Sequence, residues 1–341
     1  MSNNTIQAYA AMQAGEKLVP YQFDAGELQP HQVEVKVEYC GLCHSDISVL
    51  NNEWRSTVYP VVAGHEIIGR IVALGSEAKG LQIGQRVGIG WTAESCQACD
   101  ECIGGQQVLC TGGSVATIVG HAGGFADKVR AGWQWAIPLP EDLDAESAGP
   151  LLCGGITVFD PLLKHKIQAT HHVGVIGIGG LGHMGVKFAA ALGAEVTVLS
   201  HSPSKEVDAR KMAATQFVVT KEKDWQLSFS KKFDLVLNTV SADLELDPYL
   251  QLLDTDGTLV VIGLPGKPYA VNAGTLLNGR RSIAGSMIGG IPELQEMLDF
   301  CGEHNITSDI ELIDPEYINK AYERTVASDV KYRFVIDASK F

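Results

Sequence analysis

The chain reads as an α/β protein in two parts, a small β-rich body followed by a doubly wound parallel sheet. Three observations carry that reading. Between about 30 and 130, short strand-like runs such as VEVKVEY, EIIGRIVALG and GQRVGIGW alternate with glycine. From 171 the texture switches to alternating buried strands and helices: HHVGVIGIG, LGHMGVKFAAALG and EVTVLS, then FDLVLNTV and GTLVVIGL. That rhythm is what βαβ units require. Between the β runs, Cys96-x2-Cys99-x2-Cys102-x7-Cys110 packs four cysteines into fifteen residues, a lobe built around something other than a hydrophobic core.

The β runs of the first part are short and punctuated, which predicts a small, strongly curved body with long functional loops. Near the end, PELQEMLDFCGEH is an amphipathic helix and KYRFVID a strand, and this tail is expected to return to the first domain. The expected boundaries are 1–150 with 303–341 for the first domain and 151–302 for the second. With 341 residues, each part is large enough for its own core.

Hydrophobic residues make up 45% and charged residues 19% of the chain, with a net charge of −14. That balance suits a globular enzyme and disfavours a nucleic-acid partner, because no basic stripe exists to displace counterions. The start, MSNNTIQAYAAMQ, has neither a cationic nor an apolar leader region. No apolar run approaches the roughly 18 residues of a membrane helix. A cytoplasmic protein without membrane contact is expected, with its eight cysteines serving as metal ligands and free thiols rather than disulfides.

The spacing of Cys96, Cys99, Cys102 and Cys110 lets four thiolates converge on one Zn²⁺. A closed set of four leaves no open coordination position, so this is structural zinc. A second, looser constellation has the residue types of a catalytic site. Cys40-Gly41-Leu42-Cys43-His44 also fits a c-type haem attachment string or a redox pair. Haem attachment follows export, for which no signal is seen. The better reading combines Cys43 with His65, Glu66 and Cys153. One thiolate, one imidazole and either a second thiolate or a carboxylate leave the fourth position open to substrate. Asp46 is placed to hold the other ring nitrogen of His65.

Gly177-Ile178-Gly179-Gly180-Leu181-Gly182 follows a strand and opens a helix, the context of a dinucleotide-binding turn. Gly177 allows the tight turn, Gly179 close approach of the pyrophosphate, and Gly182 close helix–strand packing. About 20 residues on, no carboxylate ends the strand EVTVL to accept a ribose 2′-OH. Ser200, His201, Ser202 and Lys205 stand there instead, a set suited to a 2′-phosphate and hence to NADP.

CGLCHSD, GHEIIGRIVALGSEA, the four-cysteine lobe, LLCGGITVF and GIGGLGH together resemble the zinc-dependent medium-chain alcohol dehydrogenases. Within them the chain is similar to bacterial NADPH-dependent aldehyde reductases of the cinnamyl alcohol dehydrogenase group, from about residue 30 through YRFVID. The resemblance implies a GroES-like catalytic domain, a Rossmann domain and a homodimer that interconverts aldehydes and alcohols. It implies that Cys43, His65 and Cys153 bind catalytic zinc, that Glu66 can exchange onto the metal and that Ser45 starts a proton relay. It further implies that Thr157, Thr239, Gly263, Ser286, Met287, Ile288 and Arg333 line the cofactor. Trp54, Trp91, Met287 and Ile288 fall where such enzymes line the substrate pocket, which suggests an apolar aldehyde. Where many relatives place a relay histidine, this chain has Ser48. A hydroxyl passes a proton but does not titrate near neutrality, which leaves the acid–base route open. The competing readings are an NAD-dependent alcohol or polyol dehydrogenase and a non-catalytic zinc module that binds nucleic acid. Glu94, Asp100 and Glu101 make the cysteine lobe acidic and weigh against the latter.

Overall fold

A computed structural model describes residues 4–341. They form two compact units. The first takes in the described residues up to Ile156 together with Gly289–Phe341, and the second is Thr157–Ile288. No helix among the described residues is long and apolar enough to cross a membrane.

The first unit is built on a mixed sheet. Its spine is the strand Gln32–Leu42, paired antiparallel with Glu66–Leu74, with Lys128–Gly132 and with Arg333–Asp337. Val33, Val35 and Val37 alternate inward along the spine, as a half-buried strand demands, and join a core with Ile67, Ile71, Val87 and Phe125. The register shifts at Glu34/Val35 and at Val37/Tyr39. Bulges of this kind bend a strand and tighten its curvature. The C-terminal strand pairs with the spine, where Val335 faces Gly41 and Phe334 faces Leu42.

The first unit is larger than the sequence boundaries allow. The helix Ile291–His304 belongs to it, because its N-terminus and its side chains bond within that unit: the Ile291 amide donates to Gln107 and the Gln295 amide to the Pro138 carbonyl. Amphipathicity alone does not say which body a helix covers.

The second unit is a six-stranded parallel sheet in the order Gln216–Val219, Glu195–Ser200, His172–Ile176, Phe233–Asn238, Leu253–Val261, Ser282–Gly285. Chain order reverses between His172–Ile176 and Phe233–Asn238, which makes the loops after these two strands the switch point where such sheets bind ligands.

Candidate metal and dinucleotide sites

The metal cluster is assembled at one end of the spine strand. Cys43 follows that strand and caps the helix His44–Leu50. Asp46, in the first turn of the helix, accepts from the Cys43 amide at 2.8 Å, the reciprocal half of a capping box. The same carboxylate also accepts from the Gly64 amide at 2.8 Å and binds Nδ1 of His65 at 2.9 Å. One buried aspartate therefore organises the Cys43 turn, the Gly64 turn and the His65 ring. Because a carboxylate can only accept, Nδ1 carries a proton, which leaves Nε2 as the nitrogen that faces the cluster. Gly64 sits at φ +95° against Phe125, a position closed to other residues. Gly41 is opposite Glu66 in the ladder, and any side chain there would run into the Glu66 carboxylate.

Ligand atoms of Cys43, His65, Glu66 and Cys153 all lie within 4.8 Å of one another, and all four residues are buried. The Cys43 and Cys153 sulfurs are 3.8 Å apart and His65 Nε2 is 3.2 Å from Cys153 Sγ. Two thiolates on one tetrahedral zinc at ~2.3 Å each stand about 3.8 Å apart, so the sulfur spacing is that of ligands rather than of a disulfide. Glu66 supplies a second test. It is fully buried and neither carboxylate oxygen has a hydrogen-bond partner. Its nearest cation is Arg333, whose Nη2 is 3.6 Å from Oε1. Burial pushes the Glu66 carboxyl up to about 7, although Arg333 opposes the shift. A carboxylate so placed is stabilised by a divalent cation. The Cys43 thiol is held well below its ordinary range, foremost by the hydrogen bond from Cys153, and thiolate is the form that binds metal. The donor set fits zinc.

The four-cysteine lobe also converges. Ligand atoms of Cys96, Cys99, Cys102 and Cys110 lie within 4.8 Å of one another, with Cys96–Cys102 and Cys99–Cys110 sulfur pairs each at 3.9 Å. Two backbone amides point at Cys96 Sγ, from Ala98 at 3.5 Å and Cys99 at 3.3 Å, an arrangement that stabilises thiolate. Backbone hydrogen bonding draws the Cys99 thiol down to about 6.

Next to the metal cluster, Trp91 and His65 meet at right angles with a centroid distance of 5.2 Å, and Trp54 meets Trp91 at 5.8 Å. Ser45 is half-buried beside Cys43. Ser48 is buried and donates to Glu53 at 2.7 Å. Sequence reading overlooked Glu53, because the helix ends at Leu50 and only the turn beyond it brings the carboxylate back. Arg333, expected along the cofactor, lies in the first unit against Glu66.

The glycine turn of the second unit behaves as its spacing requires. Gly177 has φ +83°, and a side chain on Gly182 would strike the Gly177 carbonyl. A side chain on Gly179 would meet nothing within 4 Å, so Gly179 borders open space that a pyrophosphate can enter. Ile178 is buried, while Gly180 and Leu181 are half-buried. Thr239 braces this turn from the neighbouring strand, its hydroxyl donating to the Ile176 carbonyl at 2.7 Å. Gly263 packs against the Val240 carbonyl, again with no room for a side chain. The Lys205 ammonium donates to the Ile178 carbonyl at 2.9 Å, which brings it to the edge of the glycine turn. Ser200 is buried and accepts from the Ser202 amide, whereas His201 is exposed. Ser286 donates to Asp160 at 3.3 Å, and Met287 is half exposed. Thr157 opens the unit and Ile288 ends it.

Residues 29–141 match the alcohol dehydrogenase GroES-like domain and residues 180–303 the zinc-binding dehydrogenase family. An NADP-dependent alcohol dehydrogenase C of Mycobacterium bovis is 47% identical, covering 98% of this chain and 99% of that protein. A probable cinnamyl alcohol dehydrogenase 6 of rice is 40% identical, covering 98% and 96%. Among solved structures, a cinnamyl alcohol dehydrogenase from Sorghum bicolor superposes with a TM-score of 0.94 at 37% identity, covering 98% of each chain. The cinnamyl alcohol dehydrogenase of Helicobacter pylori complexed with NADP(H) gives 0.91 at 34%, covering 98% and 99%. With a metal cluster at the end of one sheet and a glycine turn at the switch point of another, this chain belongs to the zinc-binding dehydrogenases of the alcohol dehydrogenase family.

Proposed function

We propose that the protein reduces apolar and aromatic aldehydes to primary alcohols with NADPH, and runs the reverse reaction with alcohols. The observation that carries this reading is the buried Cys43, His65, Glu66 and Cys153 cluster with Trp91 set perpendicular to His65. When bound, zinc supplies the Lewis acidity that polarises a carbonyl, and NADPH supplies the hydride.

The residues of the chain do the rest. Asp46 fixes the tautomer of His65, which keeps Nε2 available as a ligand. Trp91 and Trp54 offer aromatic faces beside the ligands and favour a flat or apolar substrate tail. Ser45 takes the first proton-transfer position, and Ser48 passes a proton to Glu53 through the 2.7 Å hydrogen bond. In this way a carboxylate at the protein surface stands in for the missing relay histidine. Lys205 and Ser202, with His201 exposed beside them, meet the 2′-phosphate of NADPH at the end of a strand that closes on Ser200 rather than on an acidic side chain.

The edge of the six-stranded sheet supports a homodimer. Among the described residues Ser282–Gly285 pairs on one side only, and its Ile283 is exposed; a second copy of the strand would satisfy that edge. Eight cysteines held as thiols suit the reducing cytoplasm.

The test is a panel of aldehydes and alcohols assayed with NADPH and NADH side by side on purified, zinc-loaded protein. Aldehyde reduction with NADPH well ahead of NADH is expected. Equal use of both dinucleotides, or preference for polyols, would overturn the reading.

A further inference from the structure

Within the first unit, the residues at its two crossover points lie side by side. The chain enters the second unit after Ile156 and leaves it at Gly289, and a side chain on Gly289 would press on Ile156 Cδ1 at 2.8 Å. Just past that return point, the chain is held by the loop between the third and fourth cysteines of the zinc lobe. The Ile291 amide, at the start of the helix Ile291–His304, donates to Gln107 Oε1 at 3.0 Å. The other end of the same amide group, Gln107 Nε2, donates to the Cys102 carbonyl at 3.2 Å. Gln106 donates to Glu293. Gly105 and Gly290 touch so closely that no side chain fits at Gly290, and Gly105 also borders Pro292. Gln107 is buried, so neither hydrogen bond is readily replaced by water.

Ile288 shows why such an anchor matters. It holds φ at +43°, a conformation that costs a β-branched residue energy and persists only where the surroundings enforce it. The next three residues are two glycines and the anchored Ile291.

We propose that Gln107 is a positioning residue for dinucleotide binding, tying the return crossover at Gly289–Ile291 to the main chain of a zinc-lobe cysteine. The metal of the lobe then acts on the cofactor as well as on stability, because an ordered crossover need not be ordered again when the dinucleotide binds. This rests on the reading that the second unit binds a dinucleotide.

The test is Gln107→Leu, which keeps the shape and removes both hydrogen bonds. Hydrogen–deuterium exchange is followed without cofactor, and dinucleotide affinity is measured by fluorescence on protein of known zinc content. Exchange should rise across residues 289–293, zinc should stay at the wild-type level, and Kd should weaken by about tenfold with a smaller change in kcat. Should that variant fail to fold, Gln107→Glu keeps the acceptor for Ile291, loses the donor to Cys102, and should show the same pattern. Unchanged exchange and Kd would overturn the proposal. So would loss of zinc in step with any weakening, since Gln107 would then serve only the lobe. Binding is measured with whichever of NADPH and NADH the wild type takes up, and the exchange measurement needs neither, so an error in cofactor assignment remains separable from an error about Gln107.

Discussion

Asp46 holds His65 through Nδ1 at 2.9 Å while the same oxygen accepts from the Gly64 amide at 2.8 Å. The histidine and the turn that delivers it therefore share one buried acceptor. Asp46→Asn should cost about ten- to a hundredfold in zinc affinity at this site, because an amide cannot replace both acceptor oxygens. The four-cysteine lobe should keep its metal. Cys99→Ser should do the opposite and lower thermal stability, since binding energy in a closed structural site is largely folding energy. Zinc content after graded chelation, with a melting curve for each variant, checks both. One zinc per wild-type chain, or equal destabilisation by the two changes, would contradict the two-site assignment.

Ser48 donates to Glu53 at 2.7 Å, and the proposed proton relay would end on that carboxylate. If the two act in series, Ser48→Ala and Glu53→Gln should each lower kcat by about tenfold or more, and the double variant should lose little beyond either single one. Ser48→His should add a group that titrates near neutrality to the pH profile of kcat. Additive losses in the double variant would mean that the two do not share a path.

Glu66 makes the metal-free protein sensitive to pH in a calculable direction. Burial pushes its carboxyl from the ordinary 4.5 up to about 7, so between these values the folded state binds more proton than the unfolded state. Stability should therefore fall as pH rises from about 4.5 to about 7 and level off above, with up to about 3 kcal/mol attributable to this group. Glu66→Gln should flatten that part of the profile in urea titrations of metal-stripped protein. The same slope in both proteins would show that Glu66 is not its source.

Much of the site was legible because its residue types are rare and their spacings tight. Four cysteines at Cys96, Cys99, Cys102 and Cys110, or glycines at Gly177, Gly179 and Gly182, have few other uses. What stayed hidden depends on the path of the chain. Arg333 reaches Glu66 only because the C-terminal strand pairs with the spine at Gly41. Glu53 reaches Ser48 across a turn with no helical spacing. Gln107 meets Ile291 from 184 positions away. Polar pairs of this kind leave no periodic trace, whereas strands and ligand clusters do.

Lys205 separates two explanations of dinucleotide choice. Its ammonium donates to the Ile178 carbonyl of the glycine turn, so it could serve as a brace for the turn or as a partner for a 2′-phosphate. A charge-assisted contact is worth roughly 1.5–3 kcal/mol, so Lys205→Ala should weaken NADPH by about ten- to a hundredfold and leave NADH nearly unchanged. The kcat/KM ratio for the two dinucleotides checks this. Equal weakening of both would mean that the lysine only braces the turn.

Trp54 and Trp91 bring the argument to substrate choice. They stack edge to face at 5.8 Å, with Trp91 against His65 of the metal cluster, so a substrate carbonyl near that cluster would extend its tail along indole surface. Each CH₂ buried there contributes up to ~0.8 kcal/mol. Lengthening an aliphatic aldehyde by two carbons should therefore raise kcat/KM by about tenfold, until the tail outgrows the aromatic wall. Aromatic aldehydes should do at least as well, and glyceraldehyde-like polar substrates should lag. Trp54→Ala should remove most of the chain-length dependence while sparing the shortest aldehydes, whose tails never reach that residue. A flat response from short to medium chain length in the wild type would show that these tryptophans do not form the tail pocket.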